Sequence, residues 1–233
     1  MGQNEPIVLA AHAQINLRAV ELLGDPLAGQ ARRLLEPAVT AAIEATPRMG
    51  WVPVRVLQKL IHAVRDAAGM QGLYRVCEGT MLRTFEQPLF RPLIEAATTI
   101  HLLEPVAVLR LACATYPLLY RNNGTLRLGE RTHDSVELLL VGGAPSLVSD
   151  EVFLHAFGLG LQSIHRLSRP AATVQAIVRD REAGLVRFVC SDGDQVALPQ
   201  GLEARYTPTT TGPAPERTCA QSSAPRTGTP SAT

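Results

Sequence analysis

No run of apolar residues in this sequence is long enough to cross a membrane, and neither sign of charge is in excess. A membrane-spanning helix requires about 20 consecutive apolar residues, and charged residues interrupt every candidate run. The 22 Lys and Arg residues nearly balance the 21 Asp and Glu residues, so the formal net charge is +1. A balanced charge produces no long-range attraction to nucleic acid or anionic lipid. We therefore expect no membrane span and no nucleic-acid partner.

Targeting signals are also missing from the N-terminal segment. Met1 to Pro6 contains neither the basic segment nor the small-residue cleavage site of a secretory signal. Gly2 follows Met1, but Pro6 occupies the position at which a myristoylation motif has Ser or Thr. These absences predict a cytoplasmic protein.

Cysteine and histidine do not occur at the short spacings typical of metal sites. Cys77, Cys113, Cys190 and Cys219 are isolated from one another. The first three lie in apolar runs and are interpreted as small core residues, whereas Cys219 is expected to be an exposed thiol. The six histidines lack the i, i+4 pairing of a zinc site, so we expect surface or core-edge positions for them: His12, His62, His101, His133, His155 and His165. No metal site is predicted.

Motifs for catalysis and nucleotide binding are absent as well. No serine lies in a G-x-S-x-G sequence, and neither G-x-x-x-x-G-K-[ST] nor G-x-G-x-x-G occurs. Gly142-Gly143 is therefore interpreted as a turn, and Gly158-Leu159-Gly160 as part of a helix. The absence of motifs favours binding over catalysis and predicts no catalytic residue. An unrecognised enzyme remains an alternative, because active sites are assembled from residues distant in the sequence.

The composition is that of one globular domain followed by a polar tail. Hydrophobic residues make up 46% of the chain and charged residues 18%, which is enough apolar surface for a core. We predict one α+β domain over residues 1–205, with N-terminal helices in 1–50 and a core unit in 51–205. After Tyr206 the sequence is rich in Thr, Pro and Ser. Such a segment buries too little apolar surface to offset its ordering entropy, so residues 206–233 are predicted to be disordered.

Helical periodicity dominates the first half of the sequence. Apolar residues recur every three or four positions, and Gly or Pro separates the segments. Pro37 is expected to break the second helix, and Gly69 to cap the third. The predicted helices are Ile7–Leu23, Leu27–Glu44, Trp51–Ala68, Gly72–Thr84 and Leu93–Leu103, and a shorter apolar segment follows Pro105.

The last third has the alternating pattern of strands on either side of one helix. Two antiparallel hairpins are predicted, the first from Thr125–Gly129 and Ser135–Val141, the second from Thr173–Asp180 and Leu185–Ser191. A short final strand is expected at Gln195–Leu198. The pattern predicts an α+β fold in which a helical half packs on an antiparallel sheet.

Between the hairpins, Ser149 or Asp150 is expected to cap a helix that runs to Arg166. Phe153, Phe157, Leu161 and Ile164 form its apolar stripe and are expected to join the sheet to the helical half. His165 lies off that stripe, which predicts a surface position.

Several short motifs occur in this order of elements. Trp51-Val52-Pro53 opens a helix, Tyr74 to Gly79 leads into the middle helices, and Phe157-Gly158-Leu159-Gly160-Leu161 lies in the last helix. Over about residues 51–193 the arrangement resembles a Myxococcales-restricted paralogous family of unknown function. It resembles more distantly the architecture shared by haem nitric-oxide/oxygen-binding (H-NOX) domains, the 4-vinyl-reductase domain and the TRAPP small subunits. The high Ala, Arg and Leu usage suits a GC-rich bacterium.

The resemblance implies a non-enzymatic regulatory, ligand-sensing or protein-interaction module. Its partner would be a small apolar ligand or a protein, and its oligomeric state is not implied. His101 lies near the end of the predicted Leu93–Leu103 helix beside Ile100, Leu102 and Leu103, which makes it the candidate axial ligand of a haem-based gas sensor, with haem as the one cofactor to consider. The Tyr-x-Ser-x-Arg motif of the haem-binding branch is not matched by Tyr120-Arg121-Asn122-Asn123-Gly124.

Overall fold

The computed structural model describes residues 5–88, 91–92, 95, 105–169 and 171–191, and it has an α+β fold. A helical N-terminal half is followed by a half rich in antiparallel strands, as predicted. The first half comprises β1 (Ile7–Leu9), α1 (Ala10–Ala19), a 3-10 turn (Val20–Leu23), α2 (Leu27–Leu34), α3 (Pro37–Ala45), β2 (Trp51–Pro53) and α4 (Val54–Phe85). The second comprises α5 (Pro105–Leu119), β3 (Tyr120–Arg121), β4 (Thr125–Arg131), β5 (Ser135–Val141), α6 (Pro145–Val148), α7 (Glu151–His165), β6 (Thr173–Asp180) and β7 (Leu185–Ser191).

A small sheet of order β2-β1-β3 joins the two halves of the chain. Val8 lies opposite Val52 on one side and opposite Tyr120 on the other, and both pairings are antiparallel. The prediction of helix at Ile7–Leu9 and Trp51–Pro53 was therefore wrong. The hydrogen-bonding partners of these three-residue strands are distant in the sequence, and local periodicity carries no information about them.

Helix α4 changes direction at Gly69, whose φ of 65° and ψ of −169° are not helical. The prediction that a helix ends at Gly69 is confirmed, because the helical backbone is interrupted there. Glycine adopts this left-handed φ without strain. The chain resumes the helix at Met70 and continues to Phe85. The predicted break at Pro37 is confirmed too, because α2 ends at Leu34 and α3 begins at Pro37.

The larger sheet has the order β4-β5-β7-β6, and all its pairings are antiparallel. The two predicted hairpins are confirmed. On β5 and β7 every second residue is buried, among them Leu138 and Phe188, which are opposite one another in the register. One face of the sheet therefore belongs to the core.

Helix α7 packs between that sheet and α4, as the apolar stripe predicted. Asp150 is its N-cap and accepts a hydrogen bond from the Phe153 backbone N–H at 3.0 Å, which confirms the predicted cap. The prediction for His165 was wrong. Its side chain is only 1% exposed, because α7 is enclosed on more sides than the stripe alone indicated.

Several predicted segments fall outside the described residues: the Leu93–Leu103 helix apart from Glu95, the Gln195–Leu198 strand and the tail at 206–233. Across the described part of the chain, no helix combines the length and the apolar character required to cross a membrane.

Candidate functional site

A cavity opens between the helical half and α7. The space that no atom occupies is about 870 Å³ with the open mouth included, and the part that the centre of a water molecule can reach is about 80 Å³. Helices α1, α4, α5 and α7 provide most of the walls, and β3 and β4 complete them. The lining residues used below are His12, Cys77, Met81, Tyr116, Tyr120, Phe157 and Gly160. The cavity thus touches elements of both halves of the fold.

Aromatic rings form one wall of this cavity. Tyr116 and Tyr120 are stacked with their ring centroids 5.2 Å apart. The Phe157 ring stands edge-on to both, at 5.9 Å from each, and also contacts Phe188 of β7 at 5.2 Å. Such tilted and stacked geometries are those that aromatic pairs prefer. The cavity wall is therefore continuous with the core of the larger sheet.

His12 provides a buried imidazole at the cavity, and its side chain is 6% exposed. Its Nε2 lies 3.5 Å from the Tyr120 hydroxyl, and its Nδ1 is buried without a hydrogen-bond partner. Burial lowers the pKa of His12 from 6.5 to about 4, so the ring is neutral near pH 7. The expectation of a surface or core-edge position was wrong for His12.

The other polar groups beside His12 are engaged within the protein. Asn16 Nδ2 donates to the His12 carbonyl at 3.0 Å, and the Thr80 hydroxyl donates to Asn16 Oδ1 at 3.3 Å. The Thr84 hydroxyl donates to the Thr80 carbonyl at 2.8 Å. Tyr116 donates to the Asn123 carbonyl at 2.9 Å. These side chains thus direct their hydrogen bonds into the protein and not toward the space of the cavity.

The described lining of the cavity carries no charge near neutral pH. It contains no Asp, Glu, Lys or Arg. Burial raises the pKa of the Cys77 thiol to about 12 and raises the pKa values of the Tyr116 and Tyr120 hydroxyls. Together with the neutral His12, these shifts keep each of the four titratable groups uncharged. The cavity can bind by apolar contact and by neutral hydrogen bonds.

Polar contacts attach both ends of α7 to α4, one on each side of the bend at Gly69. At the N-terminal end, Asp150 accepts hydrogen bonds from Gln58 at 2.9 Å and His62 at 3.0 Å. At the C-terminal end, Arg166 donates to the Tyr74 hydroxyl and lies over its ring at 5.4 Å. Helix α7 therefore bridges the bend in α4 along the side of the cavity.

The remaining predicted residues do not form a second site within the described residues. Cys77 and Cys190 are buried, as predicted, and Cys113 is half-buried. His133 is exposed on the β4–β5 turn. No group of three His, Cys, Asp or Glu residues that could hold a metal occurs in the described ranges. Gly142-Gly143 forms a turn, in which Gly143 N–H donates to the Gly184 carbonyl at 2.9 Å. His101, the predicted axial ligand, and Cys219 lie outside the described residues.

Sequence reasoning missed His12, Tyr116 and Tyr120 as cavity residues. Nothing in the sequence places position 12 beside position 120, because the pairing of β1 with β3 brings them together. The available signal was the pair of tyrosines four residues apart in an apolar segment, although the structure places Tyr116 in α5 and Tyr120 in β3.

Comparison with known proteins shows a shared fold. No family model matches the chain, and neither does a curated protein. The Fe(II) unliganded H-NOX protein from K. algicida is 14% identical, covers 80% of this chain and 98% of its own, and superimposes with a TM-score of 0.50. An H-NOX structure from work on the function of heme distortion is 8% identical, covers 82% of this chain and 97% of its own, and has a TM-score of 0.51. The H-NOX type of fold that the sequence resemblance implied is confirmed.

Proposed function

We propose that this protein is a non-enzymatic ligand-sensing module whose ligand binds in the cavity between the helical half and α7. The observation that carries the proposal is the cavity itself, which is apolar, uncharged and bordered by elements of both halves. Binding sites for small molecules are typically concave and largely apolar, with a few placed polar groups. The described cavity has this character.

The position of the cavity gives a route from binding to a change in conformation. Phe157 of α7 contacts the cavity wall on one side and Phe188 of the larger sheet on the other. A ligand that fits better when α7 is close to α4 shifts the population toward that arrangement. The sheet, which packs on α7, then carries the change to its outer surface.

The same chemistry argues against catalysis at this cavity. General acid–base catalysis requires groups with pKa values near the working pH, whereas burial lowers the pKa of His12 to about 4 and raises that of Cys77 to about 12. Neither group changes its protonation near pH 7. A sensor needs no such group.

Ligand binding is tested by thermal shift against a library of small neutral compounds, with a Gly160→Leu variant that fills the cavity. Gly160 lines the cavity, and its added side chain would extend toward Met81. We expect compounds that raise the melting temperature of the wild type but not that of Gly160→Leu. The control is Gly158→Ala, two residues away and on another side of α7, whose added methyl meets Val174 and Phe188 instead. Turnover in a hydrolase, transferase and reductase screen that one cavity substitution abolishes would contradict the proposal.

A haem-based gas sensor with His101 as axial ligand is the second candidate, and the fold shared with H-NOX structures favours it. A bound haem would supply an iron that takes a diatomic gas. The described lining is apolar, as the faces of a porphyrin are, but the space is smaller than a porphyrin ring and the lining contains no Lys or Arg for the two carboxylates of haem. The described lining therefore does not fit the whole group.

Absorption spectroscopy separates the two candidates. The protein is expressed with a haem precursor, and the purified wild type is compared with His101→Ala and with the control His133→Ala, which changes an exposed histidine. A Soret band that His101→Ala removes or shifts, and that His133→Ala leaves unchanged, supports the haem sensor. A wild type without a Soret band eliminates it.

A further inference from the structure

We infer that the cavity takes an uncharged, largely apolar molecule and that it excludes organic anions. This inference rests on the proposed function, because it specifies the ligand class of the same cavity. Two observations carry it: the charge of the lining and the size of the space.

The lining excludes an anion because it offers no compensating charge. A carboxylate or sulfonate moved into a buried site loses its hydration, and only a cation or several hydrogen-bond donors can replace that loss. The described lining contains no Lys or Arg, and burial holds His12 in its neutral form near pH 7. The hydroxyl of Tyr116 is already donated to the Asn123 carbonyl. An anion would therefore bind far more weakly than a neutral molecule of the same shape.

His12 adds no charge to the lining. Its Nδ1 is enclosed by protein atoms, and its Nε2 lies 3.5 Å from the Tyr120 hydroxyl. Because burial keeps the ring neutral near pH 7, His12 offers an anion no compensating positive charge.

The size of the cavity sets the size of the molecule. The centres of water molecules can occupy about 80 Å³ of the cavity. When a compact region of that volume is enlarged on all sides by the water radius of about 1.4 Å, it encloses roughly 300 Å³. The larger value of about 870 Å³ includes open solvent at the mouth, so the smaller one is the better guide to the ligand. At the close packing of protein interiors, roughly 300 Å³ holds about fifteen non-hydrogen atoms. The ligand is thus of the size of two or three fused or linked rings, beside the stacked rings of Tyr116 and Tyr120.

Two fluorescent probes with the same ring skeleton test the charge rule on the full chain. N-phenyl-naphthylamine is neutral and carries one N–H, and anilinonaphthalene sulfonate adds a single negative charge. We expect the neutral probe to bind at least about a hundredfold more tightly, which corresponds to about 2.7 kcal/mol. Equal affinity of the two probes overturns the inference but leaves the proposed function standing. No saturable binding of the neutral probe, or binding that Gly160→Leu does not weaken, overturns both.

A charge placed in the cavity provides a gain-of-binding test. Met81 lines the cavity and is half-buried, whereas the next residue, Leu82, is 50% exposed and lies outside the lining. We expect Met81→Lys to increase affinity for the sulfonate probe about tenfold or more, with Leu82→Lys as the matched control. Sulfonate binding that Met81→Lys leaves unchanged, or that Leu82→Lys increases equally, overturns the charge rule.

Discussion

Both carboxylate oxygens of Asp150 lie 3.0 Å from Nε2 of His62, although the two residues are 88 positions apart in the chain. The same carboxylate caps α7 by accepting the Phe153 N–H at 3.0 Å. The Asp150 side chain thus caps α7 and attaches it to α4. Both helices line the cavity.

Asp150→Ala should lower the free energy of unfolding by about 2 kcal/mol, because an N-cap contributes about 1 kcal/mol and the lost side-chain bonds a similar amount. Asp150→Ser keeps a capping oxygen but is too short to reach His62, so we expect about half that loss. Urea denaturation measures both. Glu151→Ala is the control: its exposed carboxylate lies in the first turn of α7 with a 3.5 Å contact to Arg181, and a loss as large as that of Asp150→Ala would contradict the assignment to Asp150.

Phe157→Ala should destabilise the fold by about 3 kcal/mol, because the ring contacts Tyr116, Tyr120 and Phe188. His165→Ala should lower the free energy of unfolding by about 2 kcal/mol or more, because His165 is 1% exposed. The surface position predicted from the sequence would instead give a loss below about 1 kcal/mol. Thermal and urea unfolding give both values. A His165→Ala variant as stable as the wild type would show that the interior position of this ring does not contribute to stability.

Stability should fall as the pH is lowered from 6.5 toward 4, partly because of His12. Its pKa is about 4 in the folded protein and 6.5 in the unfolded chain, so the unfolded state binds the proton first in this range. The stabilisation is present above pH 6.5 and lost as the pH falls, by about 3 kcal/mol at most. Burial lowers the pKa of His155 in the same direction. We expect His12→Phe to reduce the slope of stability against pH and His155→Gln to reduce it less. An unchanged slope in His12→Phe would contradict a neutral buried imidazole.

Two glycine substitutions should have opposite effects on stability. At Gly158, in the middle of α7, an added methyl meets Val174 and Phe188 at 3.8 and 3.9 Å, which is ordinary contact. Gly158→Ala should therefore stabilise the protein by about 0.5–1 kcal/mol, because alanine favours a helix. Gly184 has a φ of +64°, and its added methyl would lie 2.2 Å from the Gly143 carbonyl oxygen. Gly184→Ala should destabilise by more than about 1 kcal/mol. Calorimetric unfolding measures the stability of both variants. A Gly184→Ala variant more stable than the wild type would contradict the close approach of Gly184 to Gly143.

Local sequence signals were sufficient for the elements whose hydrogen bonds close over short distances. The hairpins Thr125–Arg131 with Ser135–Val141 and Thr173–Asp180 with Leu185–Ser191 follow from alternation and turn residues. The Asp150 cap and the breaks at Pro37 and Gly69 follow from residue chemistry at one position. Each of these signals acts within a few residues, which is why the sequence by itself determined them.

The cavity and its chemistry were decided only by the tertiary structure. Residues Ile7–Leu9 form a strand because they pair with β2 and β3, each more than forty residues away in the sequence. The pairing of β1 with β3 places His12 beside Tyr120. The neutrality of His12, Cys77 and both tyrosines comes from burial, which depends on how whole elements pack. A pKa reflects the surroundings of a side chain in three dimensions, and those surroundings arise from contacts between residues that local periodicity does not connect.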